Sequence, residues 1–281
     1  MRKMISAHSH LLTKPEDLEF FADKFSQIWL LGLPTSLKIP GYSRPADEEE
    51  ILSVAKQFPG LYLPFKWIDY RMGPDQVDRA VEQGYIGFKG IAPWKSYDDE
   101  SYLPIYERIA KYHCPMVFHT GYVATPSYAN CSPDFCYQAG NMRPASLYTL
   151  ARYFPEITFI AAHFGIPWEH ELLDLEIRLL PNIYIDLSGG HVNEILKIVE
   201  ENAHREAILS DGTMGIFADK FLLGLDAYFG HPQLHREVYA YCCEFVEELE
   251  KRAAKNPVWK DHIPGILAGN AERIMKENQL L

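Results

Sequence analysis

Short runs of β-branched and aromatic residues alternate with amphipathic stretches along all 281 residues, and this rhythm constrains the fold more than any other feature. Strands separated by helical patterns of about 10 to 15 residues predict βαβ units and a parallel sheet. Eight strands are predicted: Met4–His10, Gln27–Gly32, Leu61–Ile68, Tyr85–Ile91, Pro115–His119, Thr158–His163, Ile183–Leu187 and Phe221–Asp226. Between them, helices are expected over Pro15–Phe25, Asp47–Phe58, Leu103–Tyr112, Pro144–Tyr153, Trp168–Leu180 and Val192–Ala203. Another opens at Pro74-Asp75 and stops at Gly84, since proline suits a first turn and glycine a left-handed stop. The longest helix is predicted within Gln233–Ala254, and Asn270 is expected to cap a final helix starting near Ala271.

Eight such units can close into a barrel or spread as a doubly wound sheet. The second alternative should carry a glycine fingerprint after a strand, yet neither GxGxxG nor GxxxxGK[ST] occurs. The first strand ends instead in Ala7-His8-Ser9-His10, which favours a (β/α)₈ TIM barrel. With no repeat, low-complexity tract or linker, residues 1–281 are read as one domain.

Composition narrows the function classes. Lys plus Arg number 27 against 38 Asp plus Glu, and a net charge of -11 without a segregated basic face argues against a nucleic-acid partner. No apolar run approaches the roughly 18 to 20 residues of a membrane span, and Met1–Ser6 turns polar too early for a signal peptide. A cytoplasmic protein is expected. The five cysteines, Cys114, Cys131, Cys136, Cys242 and Cys243, form no CxxC or finger spacing and read as reduced thiols, the last two packing within a helix.

The chemistry is concentrated at strand ends. His8 and His10 lie two apart on a strand, so both side chains point to one face. His119, His163 and Asp226 end the fifth, sixth and eighth strands, on the face where barrel enzymes keep their catalytic groups. Imidazole and carboxylate suit a borderline divalent metal, and His8, His10, His119 and Asp226 can supply the ligands. Zn²⁺ lowers the pKa of a bound water to about 7, so Asp226 could bind metal or take the proton, with His163 orienting the water or polarising the substrate. The remaining histidines read as surface or interface residues, except His231, which follows Asp226 in the next loop. The longest irregular segment, Gly121–Arg143, carries Tyr122, Tyr128, Phe135, Tyr137 and Arg143, a set suited to covering an aromatic or carboxylated small molecule or to holding a surface loop in place. Trp94 could stack on a planar substrate or fill the barrel mouth.

In order along the chain, Ala7-His8-Ser9-His10, Gly87-Phe-Lys-Gly90, Val117-Phe-His119-Thr-Gly121, Ala162-His163-Phe-Gly165, Ile185-Asp-Leu-Ser188, Leu223-Gly-Leu-Asp226 and Ile266-Leu-Ala-Gly-Asn270-Ala271 resemble the amidohydrolase superfamily. The likeness is to its amidohydrolase-related branch, which includes aminocarboxymuconate-semialdehyde decarboxylase, and it runs nearly end to end. The resemblance implies a (β/α)₈ barrel and one divalent metal, zinc with manganese or iron as alternatives. It also implies His8, His10, His119 and Asp226 as ligands, His163 near the metal-bound water, and a small-molecule substrate. Homodimers are frequent in the family, although no sequence feature here marks an interface. Binuclear members carry a carboxylated lysine on the fourth strand; Lys89 is the only lysine there and reads as too deep in the strand, a core or salt-bridged residue.

Such a family contains hydrolases and non-oxidative decarboxylases on the same ligands. Hydrolysis of an amide, ester or lactone has a candidate for each role, with Asp226 and His163 as catalytic groups and Trp94, Tyr122, Arg143 and His231 as substrate contacts. Decarboxylation, the alternative, needs a carboxylate clamp, for which Arg44, Arg71 and Arg143 are candidates. A barrel that binds metal or metabolite without turnover is the non-enzymatic reading.

Overall fold

The computed structural model describes residues 4–37, 44–123, 138–189 and 192–280. Seven parallel strands come first: β1 (Met4–Leu11), β2 (Phe25–Leu31), β3 (Tyr62–Trp67), β4 (Gly87–Gly90), β5 (Met116–Phe118), β6 (Phe159–Ala161) and β7 (Ile183–Asp186). A small antiparallel hairpin follows, β8 (Glu206–Ile208) with β9 (Met214–Ile216), which the sequence pattern did not suggest. Of the predicted eighth barrel strand, Phe221–Asp226, only β10 (Phe221–Leu222) forms, and the chain resumes as a strand just beyond it in β11 (Ala227–Phe229). The sheet order is β10-β7-β6-β5-β4-β3-β2-β1-β11. Because β10 pairs with β7 and β11 with β1, one stretch of chain joins the two ends of the sheet and closes the barrel. Between the two halves, Ala7 N–H donates to Leu223 O, and Leu225 and Asp226 N–H both donate to His8 O.

Helices cover the outside: α1 (Glu48–Gln57), α2 (Asp75–Gln83), α3 (Leu103–Lys111), α4 (Ala145–Tyr153), α5 (Glu169–Asp174), α6 (Val192–Asn202), α7 (Pro232–Ala253) and α8 (Asn270–Glu277). Local chemistry sets several ends. Asp47 and Glu50 form a reciprocal capping box on α1, and Gly84 ends α2 at φ 101°. No helix among the described residues is long and apolar enough to cross a membrane.

Three helical expectations fail. Pro15–Phe25 holds only a 3₁₀ turn at Leu18–Phe21, because Lys14 and Asp17 are left-handed and Phe25 already belongs to β2. Trp168–Leu180 is interrupted at Glu176, φ 51°, leaving α5 and a short 3₁₀ turn. Asn270 does not cap α8, since the chain is already wound as a π-helical turn over Gly265–Gly269. Its amide donates instead to Ala218 O and Phe221 O, tying α8 to the foot of β10.

Inside the barrel, Ile5, Ala7, Trp29, Phe65, Val117 and Tyr184 belong to one buried cluster, while a larger cluster includes the contacts between sheet and helices. Cys242 is buried on α7, consistent with packing; Cys131 and Cys136 lie outside the described residues.

Candidate metal centre

A bulge in β1 aims the site. Ser6 pairs with Ile28 and Ser9 with Leu30, three steps on one strand against two on the other. One extra residue reverses the inside–outside alternation, so Ile5 and Ala7 fill the interior below while His8 and His10 turn inward above them. The Ser6 hydroxyl, 3.2 Å from His8 O and 2.8 Å from Ser9 Oγ, ties the bulge.

Each imidazole is then held by its far nitrogen. His8 Nδ1–H donates to Asp186 Oδ2 at 2.7 Å, and His10 Nδ1–H to Leu31 O at 2.7 Å. Both Nε2 atoms therefore carry lone pairs, and they face each other at 3.3 Å. Asp226 Oδ1 completes a triangle, 3.3 Å from His8 Nε2 and 3.2 Å from His10 Nε2. Three electron-pair donors at these separations repel unless a metal ion or a proton lies among them. Ligand bonds of 2.0–2.1 Å in a tetrahedral site imply donor–donor edges of about 3.3 Å. His8, His10 and Asp226 form one group able to hold a metal ion, and His8, His163 and Asp186 another.

His119 and His163 adjoin the triangle. His163 Nε2 is 3.1 Å from His119 Nδ1, and His119 Nε2 is buried without a hydrogen-bond partner. Such an orphaned acceptor normally has a ligand or an ordered water; His119, expected as a fourth ligand, is not among the donors gathered at metal-ligand distance, and it is the His8, His10 and Asp226 set that fits a divalent metal. Backbone strain marks the same place: His163, Phe164 and Asp226 adopt φ of 61°, 49° and 47°.

Two charged residues emerge that the strand-end reading missed. Lys89 is wholly buried, as expected of a core residue, and its Nζ reaches to 3.2 Å from His8 Nε2, which brings it to the site as well. Burial depresses its pKa to about 8 against the raising effect of Asp226 and Asp186. Asp186, also fully buried, supports His8 from behind; burial alone would raise its carboxyl, but His8, His163 and Ser188 hold it well below the usual range. Burial, then Lys89, lowers His8 to about 4, and burial, then the neighbouring His163 and Lys89, keeps His119 well below its ordinary value. A carboxylate inside the apolar run Ile183–Leu187 was the available signal for Asp186, since a buried acid must be paired.

The expected substrate contacts are more scattered. Trp94 and Tyr122 follow β4 and β5 on the site face and are about half exposed, at 47% and 53%. His231 precedes α7 as its N-terminal flanking residue. Arg143 is committed elsewhere: its guanidinium pairs with Glu171 and lies 4.7 Å from the Trp168 ring centre. The other two clamp candidates are similarly engaged, Arg44 by Asp47 and Glu50 and Arg71 by Asp69. Tyr128, Phe135 and Tyr137 lie outside the described residues.

Comparison with known proteins agrees with this architecture. An uncharacterised TIM-barrel protein from Bordetella bronchiseptica superposes with a TM-score of 0.65 at 16% identity, covering 99% of this chain and 100% of that one. A dihydroxybenzoic acid decarboxylase from a Polaromonas species, solved with bound manganese and 2-nitroresorcinol, gives 0.63 at 14% identity over 99% and 98% of the two chains. A putative 2-pyrone-4,6-dicarboxylic acid hydrolase from Pseudomonas putida gives 0.60 at 16% identity over 98% of each. No curated protein matches. The family model described as amidohydrolase matches residues 43–248, from ahead of α1 into α7. With most of its length matched to that model, the chain belongs to the amidohydrolase family.

Proposed function

We propose that this chain is a metal-dependent hydrolase of a small, aromatic or carboxylated substrate, adding water to an amide, ester or lactone carbonyl. The observation that carries the reading is the triangle of His8 Nε2, His10 Nε2 and Asp226 Oδ1, and His119 Nε2 is buried without a partner. A divalent ion held by these residues would supply Lewis acidity and activate a water at neutral pH. Asp226 is the proton carrier. Its Oδ1 faces the two histidines, while Oδ2 lies 4.0 Å from His163 Nδ1, too far for a hydrogen bond and hence available to take a proton and return it to the leaving group. Trp94 and Tyr122 offer aromatic faces to a planar substrate at the mouth.

Non-oxidative decarboxylation is the second reading, and Lys89 favours it. With the clamp candidates Arg44, Arg71 and Arg143 already paired, this buried amine is a cationic group set against His8 where a substrate carboxylate could be held.

Elemental analysis of purified protein should find about one zinc, manganese or iron per chain, lost in the His8→Ala, His10→Ala double variant. Substrates such as aryl amides, lactones and hydroxybenzoates are then turned over in H₂¹⁸O. Label in the product acid, without CO₂, supports hydrolysis; CO₂ release with no label in the organic product replaces it by the decarboxylase reading. A metal-free protein that resists reconstitution overturns both.

A further inference from the structure

Behind the triangle lies a second set of contacts whose hydrogen bonds can be followed proton by proton. Asp186 Oδ1 accepts from Ser188 N–H at 2.8 Å, from His163 N–H at 3.2 Å and from the Ser188 hydroxyl. With its proton committed to Asp186, Ser188 Oγ offers only lone pairs to the rings around it. It lies 3.1 Å from His163 Nδ1, and Ser188 O lies 3.3 Å from the same nitrogen. Both neighbours are acceptors, so His163 carries its proton on Nδ1 and its lone pair on Nε2.

That lone pair faces His119 Nδ1 at 3.1 Å, which makes His119 the donor and leaves the His119 lone pair on Nε2. Nε2 is the buried atom with no partner. The backbone is shaped for this contact: Gly189 is left-handed at φ 73°, and a Cβ there would stand 2.6 Å from His163 Nδ1. Any other residue would push the ring away from the Ser188 carbonyl.

We propose that Asp186 and Ser188 are positioning residues that fix the tautomer of His163 and, through it, leave the free lone pair of His119 on its buried Nε2. Asp186 thereby orders both arms of the centre, His8 directly and His119 through Ser188 and His163. His163 is in this arrangement a positioning residue as well, with both ring nitrogens engaged. The inference rests on the metal-centre reading for its purpose, while its proton arrangement stands on the hydrogen bonds alone.

The test is ¹⁵N NMR of histidine-labelled protein, metal-free and titrated with Zn²⁺, alongside calorimetric Zn²⁺ affinity. In the metal-free protein His163 and His119 should both show Nδ1–H tautomers, and Zn²⁺ should shift His119 Nε2 without shifting His163 Nε2 as a ligand. Asp186→Asn should weaken Zn²⁺ binding by about 10- to 100-fold, as other partners of metal-bound histidines do. Ser188→Ala should mix the His163 and His119 tautomers and weaken binding, with Ser188→Thr restoring both because it keeps the hydroxyl. Should Asp186→Asn fail to fold, the Ser188 pair carries the test. An Nε2–H tautomer at either histidine, or a second Zn²⁺ bound between His119 Nδ1 and His163 Nε2, overturns the proposal. If Zn²⁺ does not bind at all, the metal reading fails while the tautomer pattern still decides this one.

Discussion

Asp226 owes its position to a backbone conformation few residues tolerate. At φ 47° it folds the chain between β10 and β11 over β1, its N–H reaching His8 O at 2.8 Å and its carboxylate arriving between His8 and His10. Left-handed non-glycine residues cost about 1–3 kcal/mol, with Asn and Asp the least penalised. Asp226→Asn therefore separates backbone from chemistry: its melting temperature should stay within about 2 °C of the parent, while turnover falls at least about 100-fold. A large drop in melting temperature with activity retained would make the carboxylate a structural group. Asp226 was legible in the sequence because it ends an apolar run, although the strand itself stops at Leu222. Lys89 was not. The sequence pattern carries the fourth strand on to Ile91, whereas β4 ends at Gly90, so Lys89 stands one residue from the strand's site end and its side chain reaches His8.

At the scale of elements, strands were easier to read than helices because a barrel strand buried on both faces shows as a continuous apolar run. The run Pro15–Phe25 has helical periodicity, yet Phe21 packs its ring 4.6 Å from Phe229 and 5.7 Å from Phe25, and that packing overrides the local preference. The split of the eighth strand was likewise invisible, since it depends on pairing with β7 below and β1 above. Packing between elements also explains why Gly87 opens β4. A Cβ there would overlap the Phe65 ring, which is stacked on Trp29 at 5.0 Å. Gly87→Ala should cost about 1–3 kcal/mol by chemical denaturation, as overpacking usually does. Adding Phe65→Leu makes room, so the double variant should lose less than the sum of the singles. Strict additivity would show that the methyl and the ring do not meet.

Across the whole molecule, the barrel separates a charged mouth from a floor that holds a different buried cation. Lys220 precedes β10 and Leu180 lies ahead of β7, so their contact, Nζ–H to Leu180 O, sits at the end opposite the site. Lys220 is wholly buried, 5.8 Å from the Tyr184 ring centre, and Arg273 flanks the same ring at 5.9 Å. Burial first, and the Arg273 charge second, bring its pKa from 10.5 to about 7. Between those values the unfolded chain binds a proton that the folded chain does not, so this group makes stability rise with pH from about 7 to 10.5. Below about 7 both states are protonated and the folded protein bears the full cost of a buried charge. Lys220→Met removes that cost but also the contacts to Leu180 and Tyr184. The expected net gain is on the order of 1–3 kcal/mol near pH 6, shrinking towards zero or a small loss by about pH 10. Thermal melts of both proteins across that range measure it, and the site at the other end should keep its metal content throughout. A gain that does not change with pH would mean that Lys220 keeps its charge when buried, and a loss at every pH would mean that its hydrogen bond to Leu180 outweighs desolvation in holding the floor of the barrel together.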